Sequence, residues 1–196
     1  MIMEYAAQPL GEEVELIRAA QRGDRDAFGR LYDASVTSVY RYLRSRLAEP
    51  SDAEDLTADV FIKAMQALPS YRHKGVPFVA WLFRIAHNEL ANFRKRQSRR
   101  REVTLEDDLP SRGSSGDDPS EAALMRMAFS EVQEAMRELT PLQQEVVSLR
   151  FAAELSIAET AQAMSRSQGA VKFLQHSAVR ALQGKLQPKE MPGSGE

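Results

Sequence analysis

Between Val76 and Arg101 the chain reads VPFVAWLFRIAHNELANFRKRQSRRR, and the side chains there that could do chemistry are of two kinds. Arg94, Lys95, Arg96, Arg99, Arg100 and Arg101 concentrate positive charge, and the partner such a block attracts is a polyanion. Arg84, Asn88 and Asn92 precede it at helical spacing and share one stripe. That stripe is expected to face outward. Phe78, Trp81, Ile85 and Ala86 form a neighbouring stripe that is expected to bury. Nucleic acid is therefore the first hypothesis, although the stretch alone equally suits a core helix with a solvated basic tail.

The rest of the composition narrows the class. With 196 residues and 43% apolar content, the chain can build one ordinary domain or two small ones. It has no cysteine, which excludes disulfides and thiolate metal sites and fits a reducing compartment. His73, His87 and His176 are too scattered for a metal cluster, so neither metal nor cofactor is expected. No glycine loop for phosphate and no nucleophile beside a base can be found, so a binding protein is expected rather than an enzyme. The longest apolar run, Val76 to Phe83, is too short to cross a bilayer, and the first residues carry acids where a secretion signal carries bases. A cytoplasmic protein without membrane insertion is the expectation. The net charge of −2 hides a segregation, because Glu102, Glu106, Asp107, Asp108, Asp117, Asp118 and Glu121 follow the basic block at once.

The elements that must position these groups are helices throughout. Val14 to Ala20 predicts a short helix stopping near Gly23. Asp24 caps a longer one whose apolar positions run from Phe28 through Leu31, Tyr32, Val36, Val39, Tyr40, Leu43 and Leu47 until Pro50 ends it. Ser51 and Glu54 read as a capping box that opens a third helix at Asp52, with Ala53, Leu56, Val60, Ala64 and Leu68 inward, broken at Pro69. Tyr71 to Gly75 is an aromatic and basic loop, and Pro77 supplies the first position of the fourth helix. Residues 102–121, acidic and rich in Gly, Ser and Pro, predict a flexible linker.

After the linker, 122–137 resumes helical spacing through Leu124, Met127, Ala128 and Val132. Thr140, Pro141 and Gln143 mark a helix start continued by Val146, Val147, Leu149 and Phe151, and Ser156 with Glu159 marks another. Ser165, Arg166 and Ser167 turn the chain into a last helix whose inward positions are Val171, Leu174, Ala178, Ala181 and Leu182. Two short helices about a tight turn outline a helix-turn-helix, whose second helix enters the major groove.

These segments, DAEDLTADVFIKAM, PFVAWLFRIAHNELANFRKR, LTPLQQEVVSLRF and LSIAETAQAMSRSQGAVKFLQHSAVRAL, resemble in order and spacing the extracytoplasmic-function (ECF) sigma factors of bacterial RNA polymerase. The resemblance implies an all-α protein of two small domains: a four-helix region 2 domain over 13–101 and a helix-turn-helix region 4 domain over 122–187, joined by the linker at 102–121. It implies core RNA polymerase as partner, through the clamp helices of the largest subunit and the flap, with Asp52, Asp55, Asp59, Phe61 and Lys63 as candidate contacts. It also implies promoter DNA. Tyr71, Arg72, His73, Lys74, Arg84, Asn88, Asn92, Arg94, Lys95 and Arg96 are candidates for the minus 10 element, with Tyr71 and His73 as stackers and Trp81 in the core. Gln168, Gly169, Lys172, Gln175, His176 and Arg180 are candidates for the minus 35 element. An anti-sigma factor is a further partner the resemblance admits. The alternative is a stand-alone dimeric helix-turn-helix regulator of transcription.

Overall fold

The computed structural model describes residues 10–73, 75–103 and 121–186, so Lys74 and most of the expected acidic linker lie outside it. The first half comprises α1 (Leu10–Gln21), α2 (Arg25–Arg44), α3 (Pro50–Ala67), a 3-10 turn at Leu68–Ser70, and α4 (Phe78–Val103). The second comprises α5 (Glu121–Arg137), α6 (Pro141–Val147), a wide π-type turn at Ser148–Ala152, α7 (Ile157–Ala163) and α8 (Gln168–Leu186). Among the described residues there is no strand, and no helix is long and apolar enough to cross a membrane.

Local chemistry explains most of the ends. Gly23 turns the chain with φ +93, a conformation open to residues without a Cβ, and Asp24 then accepts hydrogen bonds from the amides of Asp26 and Ala27. The capping boxes at Thr140 with Gln143 and at Ser156 with Glu159 both form. The box expected at Ser51 and Glu54 does not. Pro50 opens α3 instead of closing α2, because a helix's first amide has no partner to lose, and this places Ser51 inside the first turn. α2 stops sooner than its apolar spacing suggests: Ser45 Oγ donates to the Tyr42 carbonyl and Arg44 donates to that of Leu47. α4 begins at Phe78, one residue past Pro77, and the Phe78 amide donates to Glu13 Oε1 at 2.9 Å. A carboxylate from α1 thus caps a helix far along the chain.

The main core gathers Val39, Tyr42 and Leu43 of α2, Val60 of α3, and Phe78, Leu82 and Phe83 of α4. Leu149, Ala153 and Leu155 of the second half belong to this same core. Two smaller clusters hold the rest: Met136, Leu139 and Ala178 in one, Val146, Ala161 and Val171 in the other. Not every apolar side chain of these helical spacings is buried, and Ala181, expected inward, faces solvent. Met127 and Val132 are exposed because α5 packs through its last turns, where Ala135 and Met136 bury. Phe151 is turned out where the Ala153 amide reaches back to the Ser148 carbonyl, adding a residue to the turn.

Candidate nucleic-acid interface

The first surface is built where the loop after α3 meets the start of α4. Tyr71 packs its ring 4.5 Å from that of Trp81 and 5.8 Å from that of Phe78. Gln21 Nε2 holds the loop backbone by donating to the carbonyls of Leu68 and Tyr71, at 3.0 and 2.7 Å. Burial, and behind it the charge of Glu13, pushes the Tyr71 phenol up to about 12, so it stays a neutral donor. Tyr71, Arg72, Val76, Trp81 and Arg84 line an open depression of about 420 Å³. Trp81, expected in the core, is half-buried and forms one wall of this depression. His73, expected as a second stacker, is tucked in. Its side chain is 15% exposed, its Nδ1 accepts from the Gly75 amide, and its Nε2 stands 3.6 Å from Glu13, past hydrogen-bond reach. Its place is under the loop, where packing rather than spacing decides.

Along α4 the depression is continued by Asn88, Asn92, Lys95 and Arg96, all exposed. Two other cations of the expected set reach protein carbonyls. Arg84 Nη2 donates to Gln162 of α7 at 3.0 Å, and Arg94 Nη2 to Arg46 at 3.2 Å.

The second surface is α8, presented by the turn after α7. Ser165 takes φ +53 there, and the Arg166 amide donates to the Ala161 carbonyl at 2.8 Å, which closes α7. Gln168, Gly169, Lys172, His176 and Arg180 are exposed. Gln175 is not presented in the same way, because Arg150 Nε donates to its Oε1 at 3.0 Å and it is half-buried. Phe173, absent from the expected set, is 73% exposed. Its signal in the sequence is an apolar residue off the stripe of Val171, Leu174, Ala178 and Leu182.

The third surface is the outer face of α3. Asp55 and Asp59 are exposed, and Asp52 is half-exposed with its carboxyl raised by burial and by the nearby charges of Glu49 and Asp55. Phe61, expected as a partner contact, is buried with its ring edge-on to Tyr32 at 4.6 Å. Lys63 pairs with the buried Glu89 of α4 at 2.5 Å. The apolar groups actually offered by α3 are Ile62 and Met65, about half exposed at 49% and 54%.

Between the halves, Glu145 of α6 is buried among side chains of α2 and α4. It accepts from the Tyr42 hydroxyl at 2.9 and 3.0 Å and from Arg46 at 2.8 Å, and His87 Nδ1 lies 3.1 Å away. Burial alone would raise the Glu145 carboxyl, but the bond to His87 and the charge of Arg46 outweigh it, and the group sits below its usual range. The same bond raises His87 against the opposing pull of burial. Ser45 to Ser148 at 2.9 Å and Arg41 to Glu154 at 3.0 Å complete the junction.

A helical protein that sets a basic aromatic depression beside a helix-turn-helix, with Arg84 of the one bonded to α7 of the other, has the features of a class of DNA-binding proteins. The family model described as Sigma-70 region 2 matches residues 31–100, and that described as Sigma-70, region 4 matches residues 135–184. The chain is 41% identical over 169 residues to the ECF RNA polymerase sigma factor BldN of Streptomyces coelicolor, a match covering 86% of this chain and 64% of BldN. It is 32% identical over 181 residues to the ECF RNA polymerase sigma factor SigD of Mycobacterium tuberculosis, covering 90% of this chain and 85% of SigD. The fold is similar to that of CnrH in complex with the cytosolic domain of CnrY, with TM-score 0.67 and 23% identity over 88% of this chain and 96% of CnrH. The chain belongs to the ECF RNA polymerase sigma factors. The stand-alone regulator would leave the region 2 match without a purpose.

Proposed function

We propose that this sigma factor binds core RNA polymerase through the outer face of α3, captures unpaired minus 10 bases at the Tyr71 and Trp81 depression, and reads minus 35 duplex with α8. The depression carries the reading. It sets two aromatic rings beside Arg72 and Arg84 at the head of a stripe that continues through Asn88 and Asn92. Reading a base inside a duplex means removing it from the stack, at a cost of a few kcal/mol. Stacking on an aromatic returns roughly 1–3 kcal/mol per base, so a ring, edge-reading amides and phosphate-anchoring cations together can hold an opened strand without ATP. The chain acts in this account by binding and not as an enzyme, in the cytoplasm and on the nucleoid when joined to polymerase.

On α3, Asp55 and Asp59 supply charge and Ile62 and Met65 supply apolar area, the mixture that suits a partner helix pair. The same exposed mixture is open to a second protein partner, the anti-sigma factor that the family resemblance admits. The test is run-off transcription by core polymerase with the full chain over a promoter library. Transcription from a defined promoter subset supports the proposal, and initiation no different from core enzyme alone overturns it.

A further inference from the structure

Phe173 is the most exposed large apolar side chain among the described residues, and nothing in the fold accounts for it. It projects from α8 opposite the stripe of Val171, Ala178 and Leu182 that packs the helix down. Gly169, His176 and Arg180 lie four residues before it and three and seven after it, so all four share one face. Lys172 flanks that face. A lone aromatic surrounded by cations and a glycine is an odd surface for water but an apt one for a DNA groove.

Gly169 adds a second observation. It is not among the glycines with positive φ, and a Cβ built there would meet only Ser167 Oγ, at 3.9 Å. The protein interior therefore does not require glycine at this position. What its missing side chain leaves is space on the outside, one turn before Phe173, where a close-approaching backbone or base would sit.

We propose that Phe173 is a specificity residue of α8 that recognises the 5-methyl group of a thymine in the upstream duplex, with Gly169 giving the groove edge room to reach it. The inference rests on the proposal that α8 reads duplex DNA. In the major groove the thymine methyl is the one apolar feature a base pair presents, and a phenyl ring covers it without needing a hydrogen bond. Lys172, His176 and Arg180, on and beside the same face, are the groups to hold phosphates or polar base edges around it.

The experiment uses holoenzyme reconstituted from core polymerase and the full chain. A duplex with a randomised upstream element is first selected for binding, and each thymine in the selected element is then replaced by deoxyuridine, which removes only the methyl. One replacement is expected to weaken binding by about fourfold, the worth of one buried methyl. Phe173→Ala should abolish that difference between thymine and deoxyuridine while leaving association with core polymerase and selection at the other positions intact, and Phe173→Leu should retain part of it. Because the side chain is exposed, neither substitution opens the core. A selected element without thymine, equal binding of every deoxyuridine duplex, or discrimination that survives in Phe173→Ala would each overturn the inference while the duplex reading stands. If no upstream sequence is selected at all, the duplex reading fails and this inference falls with it.

Discussion

The hydroxyl of Tyr42 lies 2.9 and 3.0 Å from the two carboxylate oxygens of Glu145, a contact between α2 and α6 that is buried and joins the halves of the molecule. Arg46 reaches the same carboxylate at 2.8 Å with its own side chain only 5% exposed. One acid satisfying several donors thus helps to fix the helix-turn-helix on the first four helices, beside the shared core residues Leu149, Ala153 and Leu155.

Glu145→Ala strands the Arg46 cation and the Tyr42 hydroxyl. Removing one member of a buried ion pair costs about 3–5 kcal/mol, because the charge left behind has lost its partner. The less costly escape is for the halves to part and let water in. A fluorescence pair on α2 and α6 should therefore report a longer distance in the variant, and an unchanged distance with an unchanged melting temperature would show that the contact contributes nothing.

The same junction should depend on pH at both ends. His87 is raised, so its contribution is complete below its unfolded value near 6.5 and is lost as pH climbs through the higher folded value. Glu145 is lowered, so its contribution is complete above its unfolded value near 4.5 and is lost as pH falls through the lower folded value. The halves should hold together best between those two unfolded values. His87→Gln should remove the decline on the alkaline side alone in a pH series of the interhelix distance.

Lys63 pairs with Glu89 across α3 and α4, and Glu89 is 5% exposed. Lys63→Ala should cost about 1–3 kcal/mol by leaving a buried acceptor poorly satisfied, seen as a lower melting temperature. Affinity for core polymerase, measured where both proteins are folded, should change little. A large loss of affinity with no loss of stability would instead return Lys63 to the docking surface.

Glu13 caps α4 through the Phe78 amide and lies under the loop that carries Tyr71. Glu13→Ala should destabilise by about 1 kcal/mol, the usual worth of a cap, and should loosen the loop beside the depression. Permanganate reactivity of minus 10 thymines in the holoenzyme complex should fall. Reactivity equal to that of the unaltered protein would separate the cap from strand capture.

Lys172→Ala, on the face proposed for duplex, should weaken upstream binding and reduce the slope of log affinity against log salt by about one, as one phosphate contact is lost. An unaltered slope would remove Lys172 from the backbone contacts.

Much of this architecture is legible in the sequence wherever a local rule decides. Asp24 as a cap, the boxes at Thr140 and Ser156, and the turn into α8 each depend on residues a few positions apart. Pro50 misleads because proline both ends one helix and begins the next, and only the path of the chain shows which. Pairings between distant residues leave no periodic mark. Glu13 with Phe78, Lys63 with Glu89 and Tyr42 with Glu145 look like ordinary surface or core residues until the fold brings them together. The same holds at the depression. The family resemblance singles out Tyr71, but it takes the packed loop to turn His73 inward and leave Trp81 as a wall.

The central claim is that the Tyr71 and Trp81 depression with the α4 stripe holds unpaired promoter strand. It is tested most directly by comparing holoenzyme affinity for a promoter mismatched across the minus 10 element with affinity for the same promoter fully paired. The account predicts tighter binding to the mismatched template, by about tenfold for each 1.4 kcal/mol of opening cost already met, with the advantage reduced in Trp81→Ala and Asn88→Ala. Equal affinity for the two templates, or an advantage untouched by both substitutions, would contradict it.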